Sequence, residues 1–553
     1  MDRRGHQGRN HLTVAAGRER MTAVPGSGAA VPEAAGVTGA DPAATIAGAG
    51  RRPWWVWAVP FAVLFALLCV RNRFLFTTRL YEQGDGGANS ILIEQAKHFT
   101  LLVGNYSRER FNHPGPAYMY VQAVGEYLFQ NALHLVPTAW NAHMLSVFAL
   151  NCAFVAMAVG VVYGWTRSLR GAAACLATFT GFAIAYPPIV NSDWMPYMYV
   201  LAYMVFIVAA GSVAAGHTQD AWIFALTGWF LIHGHACFLL FVPAVTAAVL
   251  GAVLWRLRGD RPPWRTLLPV AVISALFALP IVVNLVLHWP GDFGKYISYG
   301  GSGRAGGHGV RQVVQYALWF WWPHHHAWLA PLLGYPVALA AVRWLCPKPL
   351  RGFLLALLAV NVVSSLAFLL YAAVGIDNLS EYYIGYFYWS APLVTALVIV
   401  LAALGAVPRP GAEGSRLAVR LSTGAALLAA AAAVAVLAVI PGTRTGSTND
   451  IDESLPHVVA TLAARAPGKT IVLHIDGPAW VETAGFLLQA ERSGVKACLH
   501  DPWYTFLMTK QFICTPAQTA SGQAYWFYKP RGLPPHTRVL LRFSGVAVAP
   551  ASP

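Results

Sequence analysis

Residues 139–165, AWNAHMLSVFALNCAFVAMAVGVVYGW, contain no Asp, Glu, Lys or Arg and stop just short of Arg167 and Arg170. The hydrocarbon core of a bilayer takes about 20 mostly apolar helical residues. This stretch therefore reads as a membrane-spanning helix with a basic end. Working outward, the same rule finds about eleven spans, at 54–72, 139–165, 171–190, 196–215, 220–236, 237–256, 267–287, 326–345, 352–374, 384–406 and 418–440. Composition agrees. The 553 residues are 57% hydrophobic and 11% charged, whereas soluble domains carry about 25% charged residues. The expected fold is a polytopic α-helical membrane protein of about 11 transmembrane helices, with a small C-terminal α/β extracytoplasmic domain.

The net charge of +15 does not point to nucleic acid, because the cations sit in short clusters between apolar segments and no nucleic-acid motif accompanies them. Arg51 and Arg52 precede the first span, Arg167 and Arg170 follow the second, and Arg256, Arg258, Arg261 and Arg265 follow the sixth. Arg343, Lys348 and Arg351 follow the eighth, and Arg409, Arg416 and Arg420 flank the gap before the last. Basic loops stay cytoplasmic. A cytoplasmic N-terminus puts all these clusters on one side, and an odd number of spans puts the C-terminal tail outside. The opposite loops near 191–195 and 375–383 carry no Lys or Arg.

Residues 1–52, rich in Gly, Ala, Pro and Arg, read as a disordered cytoplasmic leader. The abundance of Ala, Gly and Arg fits a GC-rich bacterial genome. The first outer loop, 73–138, holds an amphipathic pattern with Leu92, Ala96, Phe99 and Val103 on one helical face. That pattern predicts a helix lying in the membrane interface. A second, rich in Tyr and Phe, is expected over Tyr118–Leu135. Residues 313–325, where Trp319, Trp321 and Trp322 run into Pro323, suit a re-entrant or interfacial segment. Tyr382, Tyr383, Tyr386, Tyr388 and Trp389 suit an interfacial aromatic belt, with the lining of a sugar or prenyl groove as the alternative.

After about Thr443 the pattern changes. TIVLHID (470–476), VKACLHD (495–501), AYWFYKP (524–530) and RVLLRFSG (538–545) read as strands, with helices around Leu455–Ala464 and Val481–Arg492. Residues 442–553 are expected to form the extracytoplasmic α/β domain. No G-x-G-x-x-G or P-loop is present, so no nucleotide is assigned. Cys498 and Cys514 are the two cysteines of this tail. In an oxidising compartment they are placed to pair, and two buried thiols are the alternative.

Span centres are almost free of ionisable groups, which mark transport pathways. Polar residues gather instead beyond the span ends on the outer side. Arg79-Leu-Tyr-Glu82-Gln-Gly-Asp85-Gly-Gly holds two acids in a glycine-rich turn, and Phe111-Asn112-His113-Pro114-Gly115-Pro116-Ala117-Tyr118 follows. Here the sequence resembles the polytopic glycosyltransferases of the C superfamily, especially the dolichyl-phosphate-mannose protein mannosyltransferase-like and lipopolysaccharide-core transferase-like branch. Asp85 matches that family's first-loop acid, Ala88 to Phe99 its interfacial helix, and His113, Pro114 and Pro116 its His-Pro-Pro motif. Gly115 interrupts the prolines, and Glu82 stands three residues before Asp85.

The resemblance makes 53–441 a transmembrane glycosyltransferase domain acting on a polyprenyl-phosphate sugar. A lipid, glycan or protein acceptor would be modified at the outer face of the cell membrane in a single inverting step. Asp85 or Glu82 would be the catalytic base. Because a departing phosphate needs cations or hydrogen-bond donors, Lys295, Arg304, Arg311 and His324–His326 are candidates for substrate binding, together with His113 and Asp193. Asp193 also suits a helix cap before Pro196. His233 and His235 lack a third ligand nearby in sequence, so no metal or other cofactor is assigned, and a divalent ion stays open. Two rival functions are a lipid or polysaccharide transporter or flippase, and a structural partner of an envelope-polymer assembly.

Overall fold

The computed structural model describes residues 52–257, 264–301, 307–321, 329–405, 413–439 and 451–551. The expected leader falls outside these except for Arg52, as do Arg304 and His324–His326. Every apolar segment is helical: Trp55–Arg71, Ala139–Thr166, Leu169–Ala185, Met195–Ala214, Ala221–Gly234, Phe238–Leu257, Trp264–His288, Leu329–Leu345, Lys348–Val374, Ser390–Gly405 and Glu413–Val439. Among the described residues, seven helical stretches are long and apolar enough to cross a membrane. The chain is a multi-pass membrane protein. Leu169–Ala185 stops short of the expected residue 190 because Pro187 and Pro188 follow, and proline cannot continue the backbone ladder.

Met195–Ala214 is the bundle's centre, with residues Met198 to Ala210 all buried. Trp264–His288 lies at the periphery and turns Leu276, Leu279 and Val286 outward, as a helix facing lipid must. At the end of the bundle where the N-terminal helix begins, Arg52 binds both oxygens of Asp220 at 2.5 and 2.8 Å, and the Ser212 hydroxyl donates to the same carboxylate. Arg256 caps the Ala214 carbonyl at 2.8 Å. Arg52 and Arg256 thus lie at the same end, and successive helices carry the chain to the other.

That opposite end holds the first loop and the C-terminal unit. The first loop departs from expectation. Its helix spans Gly84–Lys97, so Asp85 sits in a first helical turn, not in a free glycine-rich loop. Phe99 lies beyond the helix at positive φ, 83% exposed. The helix does not lie in the interface, because both flanks are covered: Leu92, Ile93 and Ala96 join the bundle core, and Ile91 joins the core of the C-terminal unit. The second helix is Ala117–Gly125, continued by a π-helical segment, Glu126–Ala132. The segment expected to be re-entrant begins as a helix, Val310–Trp319, that packs on Lys348–Val374.

The C-terminal unit is a five-stranded sheet covered on one face by helices Leu455–Arg465 and Trp480–Arg492. The strands are β3 (Ile471–Ile475), β4 (Ala497–Leu499), β5 (Gln523–Tyr528), β6 (Leu541–Phe543) and β7 (Val546–Pro550), in the order β4-β3-β5-β7-β6. β3 pairs parallel with β4 and β5, and β7 pairs antiparallel with β5 and β6. Cys498 and Cys514 form a disulfide that closes the excursion carrying Trp503, Tyr504 and Phe506.

Three contacts fasten this unit to the first loop. β1 (Tyr81–Glu82) pairs antiparallel with β2 (Ile451–Asp452). The Gly84–Lys97 and Trp480–Arg492 helices touch through backbone, since a Cβ on Gly87 would stand 3.2 Å from the Gly485 backbone nitrogen. Arg492 reaches across to Glu82 at 3.0 Å and Glu94 at 2.8 Å.

Candidate active site

A cavity of about 890 Å³ opens where the first loop, the ends of the spans and the C-terminal unit meet. Ligand pockets run from about 300 to 1,000 Å³, so the cavity is of ligand-binding size. The spans and their connections supply an aromatic wall with Tyr199, Tyr371 and Phe387. The first loop supplies Asp85, Tyr106, Arg108 and His113, and the C-terminal unit supplies Trp480, Trp503, Phe506 and Leu507.

Both oxygens of the Asp85 carboxylate are held. Tyr106 donates its hydroxyl to Oδ1, and the Trp194 indole N–H donates to Oδ2 at 2.7 Å. Phe506 packs edge-on against Tyr106, so the C-terminal unit helps hold the ring that orients the acid. Arg108 is the cavity's one Lys or Arg among the described residues. It pairs with Asp377 and lies 3.4 Å from Glu381, tying the first loop to the 375–383 connection.

Glu82 stands elsewhere. It is fully buried outside the cavity wall and pairs with Arg492. Burial would raise its carboxyl, but Arg492, with help from His143 and Ser90, outweighs that and holds it below the usual range. Glu82 and Asp85, three residues apart in sequence, thus have different surroundings.

The other candidates divide in the same way. His113 lines the cavity. Asp193 does not, and it is not the expected helix cap: Trp194 holds that position without a side-chain bond. Instead Asp193 accepts the Trp140 indole N–H at 3.0 Å, and burial pushes its carboxyl upward. Lys295 is exposed and bound to Asp292 at 2.8 Å and the Arg110 carbonyl at 3.1 Å. Arg311 is exposed on its helix, outside the wall. Tyr388 and Trp389 are buried among other aromatics, whereas Tyr382 is exposed and Tyr383 lines the cavity, so this segment serves both the interior and the cavity wall.

The interrupted His-Pro-Pro motif has a steric cause. Gly115 N–H donates to the His233 carbonyl at 3.2 Å, and any Cβ at 115 would stand only 2.3 Å from the His233 ring. Gly115→Pro, which would restore the family pattern, loses that donor and forces the ring away. Adding a lost hydrogen bond to overpacking gives a destabilisation of about 2–4 kcal/mol. Thermal unfolding of the purified variant in detergent checks this, and an unchanged transition would refute the packing argument.

Sequence reasoning missed Tyr106, Arg108 and Trp194, and considered His235 only as a metal ligand. A signal for two of them was present in Tyr106-Ser-Arg108-Glu-Arg, a charged run directly before the His113 motif.

The same architecture occurs among solved structures. ArnT from Cupriavidus metallidurans bound to undecaprenyl phosphate matches with a TM-score of 0.54 over 90% of this chain and 98% of that one, at 13% identity. The apo state of the same protein matches at 0.52, with 89% and 98% covered and 13% identity. The chain shares the fold of these structures. No protein-family model and no curated protein sequence matches the chain. Within this fold, the cavity lies at the end of the bundle that carries the C-terminal unit.

Proposed function

We propose that the protein is a membrane glycosyltransferase that moves a sugar from a polyprenyl-phosphate donor to a lipid, glycan or protein acceptor at the outer face of the membrane. The observation that carries this reading is the Asp85 carboxylate. Tyr106 and Trp194 orient it in a cavity with a span-derived aromatic wall on one side and the C-terminal unit on the other. Asp85 takes the proton of the acceptor hydroxyl as that oxygen attacks the anomeric carbon. The bond from that carbon to the donor phosphate breaks, its electron pair stays on the phosphate oxygen, and the sugar inverts. The apolar wall suits the first prenyl units, and Arg108 is a cation within reach of the phosphate once it leaves its carboxylate partners. The bound lipid of the ArnT structure lends support by analogy of fold.

Purified protein supplied with radiolabelled polyprenyl-phosphate sugars should move label to an acceptor and release polyprenyl phosphate. Passage of the intact donor across vesicle membranes without cleavage would overturn the reading in favour of a transporter. The orientation has its own test. Alkaline phosphatase fused after Ala464 should be active in a bacterial host and inactive when fused after Arg261. The reverse pattern would place the cavity on the cytoplasmic side.

A further inference from the structure

Three histidines meet beside the cavity, and their hydrogen bonds separate them. His233 is spent on structure: Nδ1 accepts the Ala117 N–H at 3.2 Å, and Nε2 bonds the Phe277 carbonyl at 2.8 Å. His113 and His235 differ. The Ala236 N–H donates to His113 Nδ1 at 3.2 Å, and the Cys237 N–H donates to His235 Nδ1 at 3.1 Å. A ring nitrogen that accepts a hydrogen bond carries no proton, so in each neutral ring the proton sits on Nε2. Neither Nε2 has a hydrogen-bond partner among the described residues, and both rings line the cavity. The ring centroids are 4.1 Å apart and the planes tilted by 33°.

We infer that His113 and His235 form a paired N–H clamp for a phosphate group, and that in the proposed reaction they receive the phosphate as it leaves the sugar. The choice of phosphate rests on the donor reading above. The requirement for a hydrogen-bond acceptor rests on the tautomers alone. A protonated Nε2 has no lone pair for a metal ion, and turning it into a ligand would cost the backbone bond at Nδ1. Phosphate oxygens accept charge-assisted bonds at about 2.7–2.9 Å, so one phosphate spans two donors on rings this close.

Burial holds His235 down to about 4 and, with His235 alongside, His113 well below its ordinary value. Both rings are therefore uncharged at neutral pH. Fixed neutral donors in a water-poor site stabilise charge as it develops on the leaving oxygen. They add no formal positive charge to retain the spent lipid phosphate.

The two amide residues imitate different halves of the imidazole. Asn can keep the acceptor that Nδ1 offers to backbone, whereas Gln can keep a donor near Nε2. The experiment measures binding of undecaprenyl phosphate and of undecaprenol to the purified full chain, with inorganic phosphate as competitor. Wild type should prefer the phosphate. His113→Asn and His235→Asn should each weaken undecaprenyl phosphate binding about tenfold, as expected for a hydrogen bond to a charged group, with undecaprenol unaffected. The Gln variants should retain part of the preference. If the Asn variants keep the full preference and the Gln variants lose it, the rings serve only the backbone and the clamp is overturned while the donor reading stands. If wild type shows no preference, clamp and donor reading fall together. If inorganic phosphate competes as well as the lipid, and only against variants that keep Nε2–H or a substitute, the clamp stands and a free anion replaces the lipid as its ligand.

Discussion

Asp85→Asn should lower sugar transfer about 10²–10⁴-fold, the usual contribution of general-base catalysis, in a protein that still folds and inserts. The substitution keeps shape and one acceptor oxygen. The amide oxygen then accepts the Trp194 indole N–H, and the N–H₂ can only donate to the Tyr106 hydroxyl, which must give up its own donation at this contact. That defect is local and lies at the edge of a cavity, so the rate should fall far more than the stability. Glu82→Gln is the matched control and should behave in the opposite way. Its side chain touches Arg492 in the protein interior and has no access to the acceptor, so transfer per folded molecule should persist while thermal stability drops. Loss of transfer in folded Glu82→Gln alone would move the base three residues upstream. Near-normal transfer by both variants, singly and together, would remove the first loop from the chemistry.

What the sequence revealed follows from the range of the forces involved. Each span is written locally, in a run of about 20 apolar residues, and every such run is helical. Four of the five main-sheet strands were legible because alternation and turn residues are also local. β7 was missed because Val546-Ala-Val-Ala-Pro550 is short, small and buried on both sides, although the Ser544-Gly545 turn before it marks a hairpin. The helix of the first loop was legible as a helix but not in its surroundings. Its pattern of Leu92, Ala96 and Phe99 looks like one wet and one greasy face, yet the supposedly wet side packs on the C-terminal unit. Asp85 and His113 emerged through a motif. Trp194 and His235 did not, because each meets the motif from a different helix end. Glu82 is the sharpest case, since its nearness to Asp85 suggested a shared task, whereas its partner lies 410 residues away.

Arg492→Met should destabilise the protein by about 3–5 kcal/mol, the range for removing one partner of a buried ion pair. Glu82 is fully buried, and Arg492 is its cation at 3.0 Å. Glu94 is less dependent, because Lys97 remains beside it. The dependence on pH gives the mechanism a signature. In wild type the Glu82 carboxyl is depressed, so its contribution is complete above the unfolded carboxyl range, about 4.3, and is lost only as pH falls through the lower folded value. Between pH 5 and pH 8 that contribution is constant. Without Arg492, burial prevails and the folded carboxyl rises above its unfolded value. The variant then carries a penalty that starts as pH rises above the unfolded value, about 4.3, levels off above the raised folded value, and is smaller at pH 5 than at pH 8. Thermal unfolding in detergent should therefore show a wide gap between wild type and Arg492→Met at pH 8 and a narrower one at pH 5. Adding Glu82→Gln to the variant should recover much of the loss at pH 8, since an amide is cheaper to bury than an unpaired charge. An equal gap at both pH values, with no recovery in the double variant, would show that Arg492 acts through packing alone. Because Arg492 ends the helix whose first residue, Trp480, lines the cavity, transfer should fall in step with the loosening of this contact.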